Sequence, residues 1–165
     1  MNNITAVCPG SFDPVTVGHL DIINRASNMF SKVIVLVSNN NNKIPTFSAK
    51  ERVEMLKATT KGLSNVVIDS YDGLLADYTK NINAGAIVKG LRAMSDFEYE
   101  FQMALTNKKL NPNTETVFLT TKAENMYLSS SMVKQIATMG GDISDFVPPE
   151  ILNIVMDRFN NRKDG

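Results

Sequence analysis

The chain of 165 residues contains no tryptophan, a single cysteine and a single histidine. Cys8 alone cannot close an internal disulfide or build a cysteine-based zinc site, and its place in an apolar run marks it as a small buried hydrophobe. Neither sign of charge dominates: seventeen lysines and arginines stand against seventeen aspartates and glutamates. That balance gives no electrostatic footprint for nucleic acid, and no polybasic run points to a membrane surface. Any anion site must therefore be built locally. No apolar run is long enough to cross a bilayer and no targeting segment is evident, so the expected setting is the cytoplasm. Neither the phosphate-loop pattern Gly-x-x-x-x-Gly-Lys-[Ser/Thr] nor the dinucleotide fingerprint Gly-x-Gly-x-x-Gly occurs. Internal repeats and linkers are absent too, and the length suits one domain, 1–165, with a real core.

What is present is an alternation of strand-like and helical patterns. Apolar runs at 4–8, 33–37, 66–69, 86–88 and 116–119 read as strands. The unbroken Val33-Ile34-Val35-Leu36-Val37 fits a strand covered on both faces, as in a parallel sheet. Helical spacing fills 19–30, 49–61, 74–83, 96–110, 130–139 and 149–160. Ser48 with Glu51 makes a capping box for the second helix, and Pro148-Pro149 suits the first turn of the last. This order predicts an α/β fold, doubly wound, with a five-stranded, mostly parallel sheet and helices on both faces.

In such sheets ligands bind beyond the carboxyl ends of the strands, near the switch in strand order. The unusual residues fall there. Pro9-Gly10-Ser11-Phe12-Asp13-Pro14 joins the first strand to a helix whose first turn carries Gly18-His19. Unpaired N–H groups and the helix dipole favour an anion at such a place. His19 is either a satisfied structural histidine near a helix start or a ligand residue, and its place in the first turn after a Gly/Pro loop favours the second. Ser11 either shapes the turn or offers its hydroxyl and N–H to a phosphate, while Asp13 reads as a turn former. Lys43 follows the second strand within a polar loop. Lys89 and Arg92 flank Gly90 after the fourth, and two cations so close call for an anion. Glu98 and Glu100 on the next helix read as a solvated face, with Glu100 also able to reach a ribose or those cations. Ser129-Ser130-Ser131 opens a helix after the fifth strand, either as a cap with its neighbours or as an anion site. One rim thus gathers a histidine, two lysines, an arginine and a serine-rich helix start, a pattern suited to polyphosphate chemistry.

Gly10-Ser11-Phe12-Asp13-Pro14 with Gly18-His19 resembles the signature of the nucleotidyltransferase superfamily, which is Rossmann-like. Lys89-Gly90-Leu91-Arg92-Ala93 running into Asp96-Phe97-Glu98-Tyr99-Glu100 narrows the resemblance, as do Ser129-Ser130-Ser131-Met132-Val133-Lys134 and Phe146-Val147-Pro148. Together they are similar to the bacterial phosphopantetheine adenylyltransferases over nearly the whole chain. The resemblance implies transfer of the adenylyl group of ATP to 4′-phosphopantetheine, giving 3′-dephospho-coenzyme A and pyrophosphate in the penultimate step of coenzyme A synthesis. It also implies Mg²⁺, a cytoplasmic homohexamer, and dephospho-coenzyme A or coenzyme A as product or inhibitor.

By motif, Ser11, Phe12, His19, Gly90, Leu91, Arg92 and Glu100 would bind ATP. So would the segment Asn125, Met126, Tyr127, Leu128, Ser129, Ser130 and Ser131. Ser11, Lys43, Leu75 and Lys89 would line the phosphopantetheine site, and His19, Lys43 and Arg92 would serve catalysis; no direct metal ligand is assigned. The family usually carries arginine where Lys89 stands, and some relatives carry an aromatic residue at the position of Asn125. Two other readings share part of these residues. A sister adenylyl- or cytidylyltransferase would keep the Ser11–His19 elements without the Lys89–Glu100 block. A non-catalytic nucleotide-binding module would be expected to lack His19 or the serines.

Overall fold

The computed structural model describes residues 3–39 and 44–160. Five strands alternate with helices in chain order. These are β1 (Thr5–Gly10), α1 (Val17–Met29), β2 (Lys32–Ser38), α2 (Ala49–Thr59), β3 (Val66–Tyr71) and α3 (Leu75–Asn81). Then come β4 (Ala86–Leu91), α4 (Met94–Leu110), β5 (Glu115–Thr120), α5 (Ser130–Thr138) and α6 (Leu152–Asn160). All five strands are parallel, in the order β3-β2-β1-β4-β5. The expected α/β sheet is thus present, and every expected strand and helix lies within a few residues of its predicted place. The proline pair 148–149 opens a 3-10 turn, Pro149–Ile151, which runs into α6. A second 3-10 turn, Ala123–Asn125, has no apolar periodicity to announce it.

Strand alternation divides the core. Ala6, Cys8, Val33, Val35, Val37, Ala86 and Val88 point to one face, where α1, α2, α5 and α6 cover them. Val7, Ile34 and Leu36 point to the other, against Tyr78 and Ala84. The fully buried run of β2 is therefore apolar at every position because it has helices on both sides. β3, at the edge, is only half covered, and Val67 stays exposed. Capping fixes the helix starts. Ser48 Oγ accepts from Glu51 N–H at 3.2 Å and the Glu51 carboxylate accepts from Ser48 N–H at 2.8 Å, the expected reciprocal pair.

The sheet opens at its switch in direction. β1 pairs with β2 along six positions, but with β4 only at Ala6↔Ala86 and Val7↔Ile87. Beyond Val7 the two central strands part. Pro9, which has no N–H to give a ladder, sits past this point. α1 bridges the gap and approaches β4 so closely that a Cβ on Gly90 would stand 2.9 Å from Ile22 Cγ1.

Gly90→Ala is therefore expected to lower stability by about 1–3 kcal/mol through overpacking against α1. Ile22→Ala alone should cost about 2–5 kcal/mol as a buried cavity. The double variant should lose clearly less than the sum, since each change relieves the other. Urea unfolding of the three variants measures this, and strict additivity would contradict the close approach.

Candidate active site

The gap between β1 and β4 widens into a cleft of about 560 Å³. Its floor is the end of β1 and of β4, its sides are the Ser11 turn with α1 and the first turns of α4, and its far wall is the start of α5.

His19 is set by its own helix. Thr16 caps α1 and His19 is the third helical residue. Thr16 N–H donates to His19 Nδ1 at 3.0 Å, and His19 N–H donates to Thr16 Oγ1 at 3.3 Å. The imidazole thus stands where a glutamate stands in the usual capping box. A backbone N–H can only donate, so Nδ1 must be the bare nitrogen and the proton sits on Nε2. One ring nitrogen belongs to the helix, and the other, on the cleft side, has no partner among the described residues. Burial pushes the imidazole's pKa down from 6.5 to about 4, helped by Arg92 and then Lys89, so it is neutral at physiological pH. The Phe12 ring, itself buried, meets the imidazole edge-on at 5.1 Å between centroids.

That contact requires an unusual turn. Phe12 has φ of 48°, the left-handed region that costs an ordinary residue about 1–2 kcal/mol. Its ring folds back over Gly10, where a Cβ would lie 2.9 Å from Phe12 Cζ. Asp13 is not a reacting acid but a clamp. Its carboxylate accepts from Thr46 N–H at 2.9 Å and Phe47 N–H at 2.8 Å, and pairs with Lys134 of α5 at 3.0 Å. Ser130 Oγ donates to the carbonyl of Pro14 at 2.7 Å. The loop after β1 and the start of α5 are therefore joined twice.

The cations carry partners of their own. Lys89 pairs with Glu100 at 3.2 Å, and Arg92 Nε lies 3.4 Å from Asp96 while its terminal nitrogen donates to the Leu128 carbonyl at 2.9 Å. The anion that two close cations call for is thus supplied, in the free protein, by carboxylates one and two turns into α4. Glu98 is exposed, as a solvated face should be. Ser129 caps α5 by accepting from Met132 N–H at 3.1 Å, and exposed Ser131 follows Ser130 at the cleft wall. Cys8 touches the floor, but burial pushes its thiol up to about 12, so it is no nucleophile at neutral pH.

Most of the residues singled out in the sequence thus converge. Ser11, Phe12 and His19 line the cleft from the β1 side, Lys89, Gly90, Arg92 and Glu100 from the β4 side. Asn125, Leu128 and Ser129 to Ser131 close it. Others do not join them. Leu91 follows Gly90 on the strand and alternation turns it from α1. Leu75 packs near Tyr78 on the opposite face of the sheet. Met126 is exposed, and Tyr127 lines a separate cavity of about 640 Å³ behind α1. Lys43 lies outside the described residues. Sequence reasoning missed Thr16 and Asp96. The Arg92-to-Asp96 spacing of four on a helix start was the available signal for the second; for Thr16, the pattern Thr-x-x-His hides the box because histidine replaces the acid.

With one histidine in the chain, its titration is unambiguous. The His19 Cε1–H proton resonance is expected to stay constant between pH 6 and 8 and to move only around pH 4. Because folding lowers this pKa, the unfolded chain binds the proton first, and stability should decline as pH falls from about 6.5 toward 4. A midpoint near 6.5 in the folded protein would refute the buried, neutral imidazole.

Residues 7–136 match the cytidylyltransferase-like family model. The fold resembles the crystal structure of a candidate nicotinate-nucleotide adenylyltransferase from Vibrio parahaemolyticus, with a TM-score of 0.67 over 94% of this chain and 96% of that one, at 20% identity. Sequence similarity is far closer elsewhere. The phosphopantetheine adenylyltransferase of Caldanaerobacter subterraneus is 58% identical over 93% of this chain and 96% of its own. That of Heliobacterium modesticaldum is 52% identical over 97% and 95%, and that of Clostridium botulinum 55% identical over 97% and 98%. With 52–58% identity over nearly the whole chain and a family model spanning residues 7–136, the chain belongs to the cytidylyltransferase-like nucleotidyltransferases and, among them, to the phosphopantetheine adenylyltransferase family.

Proposed function

We propose that the protein transfers the adenylyl group of ATP to 4′-phosphopantetheine, releasing pyrophosphate and 3′-dephospho-coenzyme A. The observation that carries this reading is the Nε2–H of His19, without a partner among the described residues and held over a cleft whose cations Lys89 and Arg92 rest on exchangeable carboxylates.

The nucleophile comes ready-made. A phosphate monoester has a second pKa of about 6 and is mostly a dianion at neutral pH. It needs no general base, and His19 with Nδ1 engaged and a proton on Nε2 is not built to be one. The phosphopantetheine phosphate oxygen attacks the α-phosphorus in line, the new O–P bond forms, and the bond to the β-phosphate oxygen breaks with its electron pair leaving on pyrophosphate. No covalent enzyme intermediate is formed. His19 Nε2–H donates to an α-phosphate oxygen as charge develops. Arg92 and the start of α5 take the departing pyrophosphate, while Ser11, Phe12 backbone, Gly90 and Asn125 hold the nucleotide. Lys43 bridges the two phosphates, and Lys89, released from Glu100, meets phosphopantetheine. Asp96 must yield Arg92 for the same reason, which makes binding sensitive to ionic strength.

Mg²⁺ prefers oxygen ligands and keeps several waters. Among the described residues no three His, Cys, Asp or Glu side chains gather; in this reading the ion is carried in on the triphosphate. Bound there, it would neutralise phosphate charge. Dephospho-coenzyme A and coenzyme A would occupy the same cleft as product and inhibitor. Among the described residues no helix is long and apolar enough to cross a membrane; the cytoplasmic setting belongs to the proposed reading.

Self-association is part of the same reading. α4 leaves Met94, Phe101 and Leu105 exposed, and their spacings of seven and four put them on one side of the helix, an apolar stripe of the kind that oligomers cover. We place a homohexamer on it.

Incubation with ATP, Mg²⁺ and 4′-phosphopantetheine should yield dephospho-coenzyme A by mass, whereas nicotinate mononucleotide should release no pyrophosphate. ATP binding by calorimetry without turnover would favour a regulatory module instead. His19→Ala should cut kcat by about 10²–10³ with the fold intact; wild-type turnover would remove the imidazole from the reaction. Sedimentation should give six times the 18.2 kDa chain mass, and a monomer at micromolar concentration would dismiss the hexamer.

A further inference from the structure

Arg52 heads the large side chains that the fold buries completely, at 1% exposure. It lies in the first turn of α2, where helical arginines usually reach solvent. Its guanidinium instead runs inward, and all three of its nitrogens donate hydrogen bonds. Nε donates to the Phe47 carbonyl at 3.0 Å and, more weakly, to the Ser48 carbonyl at 3.4 Å. One terminal nitrogen donates to the Ser11 carbonyl at 2.8 Å and the Ser38 carbonyl at 3.2 Å. The other donates to Asn39 Oδ1 at 2.6 Å. Every acceptor is neutral, and among the described residues none of the ion pairs includes Arg52. Burial lowers its pKa while Asp13 and then Asp72 act to raise it, and an arginine remains charged at neutral pH.

A buried cation with no paired carboxylate is a costly way to fill space, and a leucine or methionine would fill it without the desolvation. The five acceptors say what it does instead. They come from the Ser11 turn at the cleft, the exit of β2 and the cap of α2, three segments that no common strand or helix joins. The Ser11 turn is the one that needs support, since the next residue is the left-handed Phe12 whose ring backs the imidazole. A planar fork holds several acceptors at fixed angles in a way that an ammonium cannot.

We propose that Arg52 is a positioning residue for the transfer reaction: its buried guanidinium holds the Ser11–Phe12 turn against the end of β2 and thereby sets where His19 and the nucleotide phosphates meet. The proposal rests on the adenylyl-transfer reading above. Arg52→Lys keeps the charge but cannot serve Ser11, Phe47 and Asn39 together. It is expected to lower kcat at least tenfold while the KM for ATP changes less than about threefold. It should also shift the His19 Cε1–H resonance, because Phe12 moves against the imidazole. Asn39→Ala removes one acceptor near the surface, leaves α2 packing alone and should lower kcat by a smaller factor, about threefold. If Arg52→Lys fails to fold, Asn39→Ala carries the test. Lowered melting temperature with kcat and the histidine resonance unchanged in the folded variant would show Arg52 to be packing alone. The two readings fail separately: a native enzyme that makes no dephospho-coenzyme A defeats the transfer reaction, while the histidine shift still reports on Arg52.

Discussion

One hydrogen bond organises the cleft: Thr16 N–H to His19 Nδ1. It completes the cap of α1, and in doing so it decides the tautomer of the chain's sole imidazole. An acid in that place would cap the helix equally well, but would present negative charge to the cleft. A histidine satisfies the same backbone donor with its bare nitrogen and keeps a neutral N–H for the opposite side. Burial then guards that neutrality, since the depressed pKa keeps a second proton off the ring at neutral pH. Helix stability and the chemistry of phosphate oxygens are thus served by two nitrogens of one ring, at a spacing that the ring itself fixes.

The surroundings can be understood as devices that keep this ring in place. Phe12 backs it, at the expense of a left-handed backbone, and Gly10 leaves room for the Phe12 ring. Arg52 and Asp13 then secure the loop from opposite sides, the one through carbonyls and the other through backbone N–H groups. Lys134 and Ser130 carry the restraint across to α5. The charges nearer solvent follow another rule. Lys89 and Arg92 rest on Glu100 and Asp96 in half-exposed pairs, which are worth little and are readily exchanged. Groups that must stay still are buried and bonded to several partners, while groups that must change partner are left partly in water.

Much of the fold was legible because it depends on local patterns. Continuous apolar strands, the Ser48–Glu51 box and the Gly/Pro loop each have one cheap conformation, and β-α alternation admits few topologies. The rim residues could also be found, since loops after parallel strands must fall at one edge. Asp13 and Arg52 could not be understood in the same way. A lone aspartate between Phe12 and Pro14 looks like a turn residue, and Arg52 looks like an exposed helical cation. Their partners lie thirty or more residues away in several cases: Asp13 to Phe47 and Lys134, Arg52 to Ser11. No spacing rule reaches that far. Leu75 and Leu91 mark the same limit from the other side, since which face of a strand or helix meets a cleft depends on how the neighbours pack.

The sequence by itself determined the order of elements, the edge at which an anion site would form, and the residue types available there. These follow from periodicity, turn chemistry and the direction of parallel strands, which are properties of short stretches of chain. The tertiary structure alone decided which nitrogen of His19 is free, which carboxylate holds each cation, and that Arg52 turns inward. Each of these depends on a donor meeting an acceptor in a particular direction at about 3 Å, a condition that only the packed chain can impose.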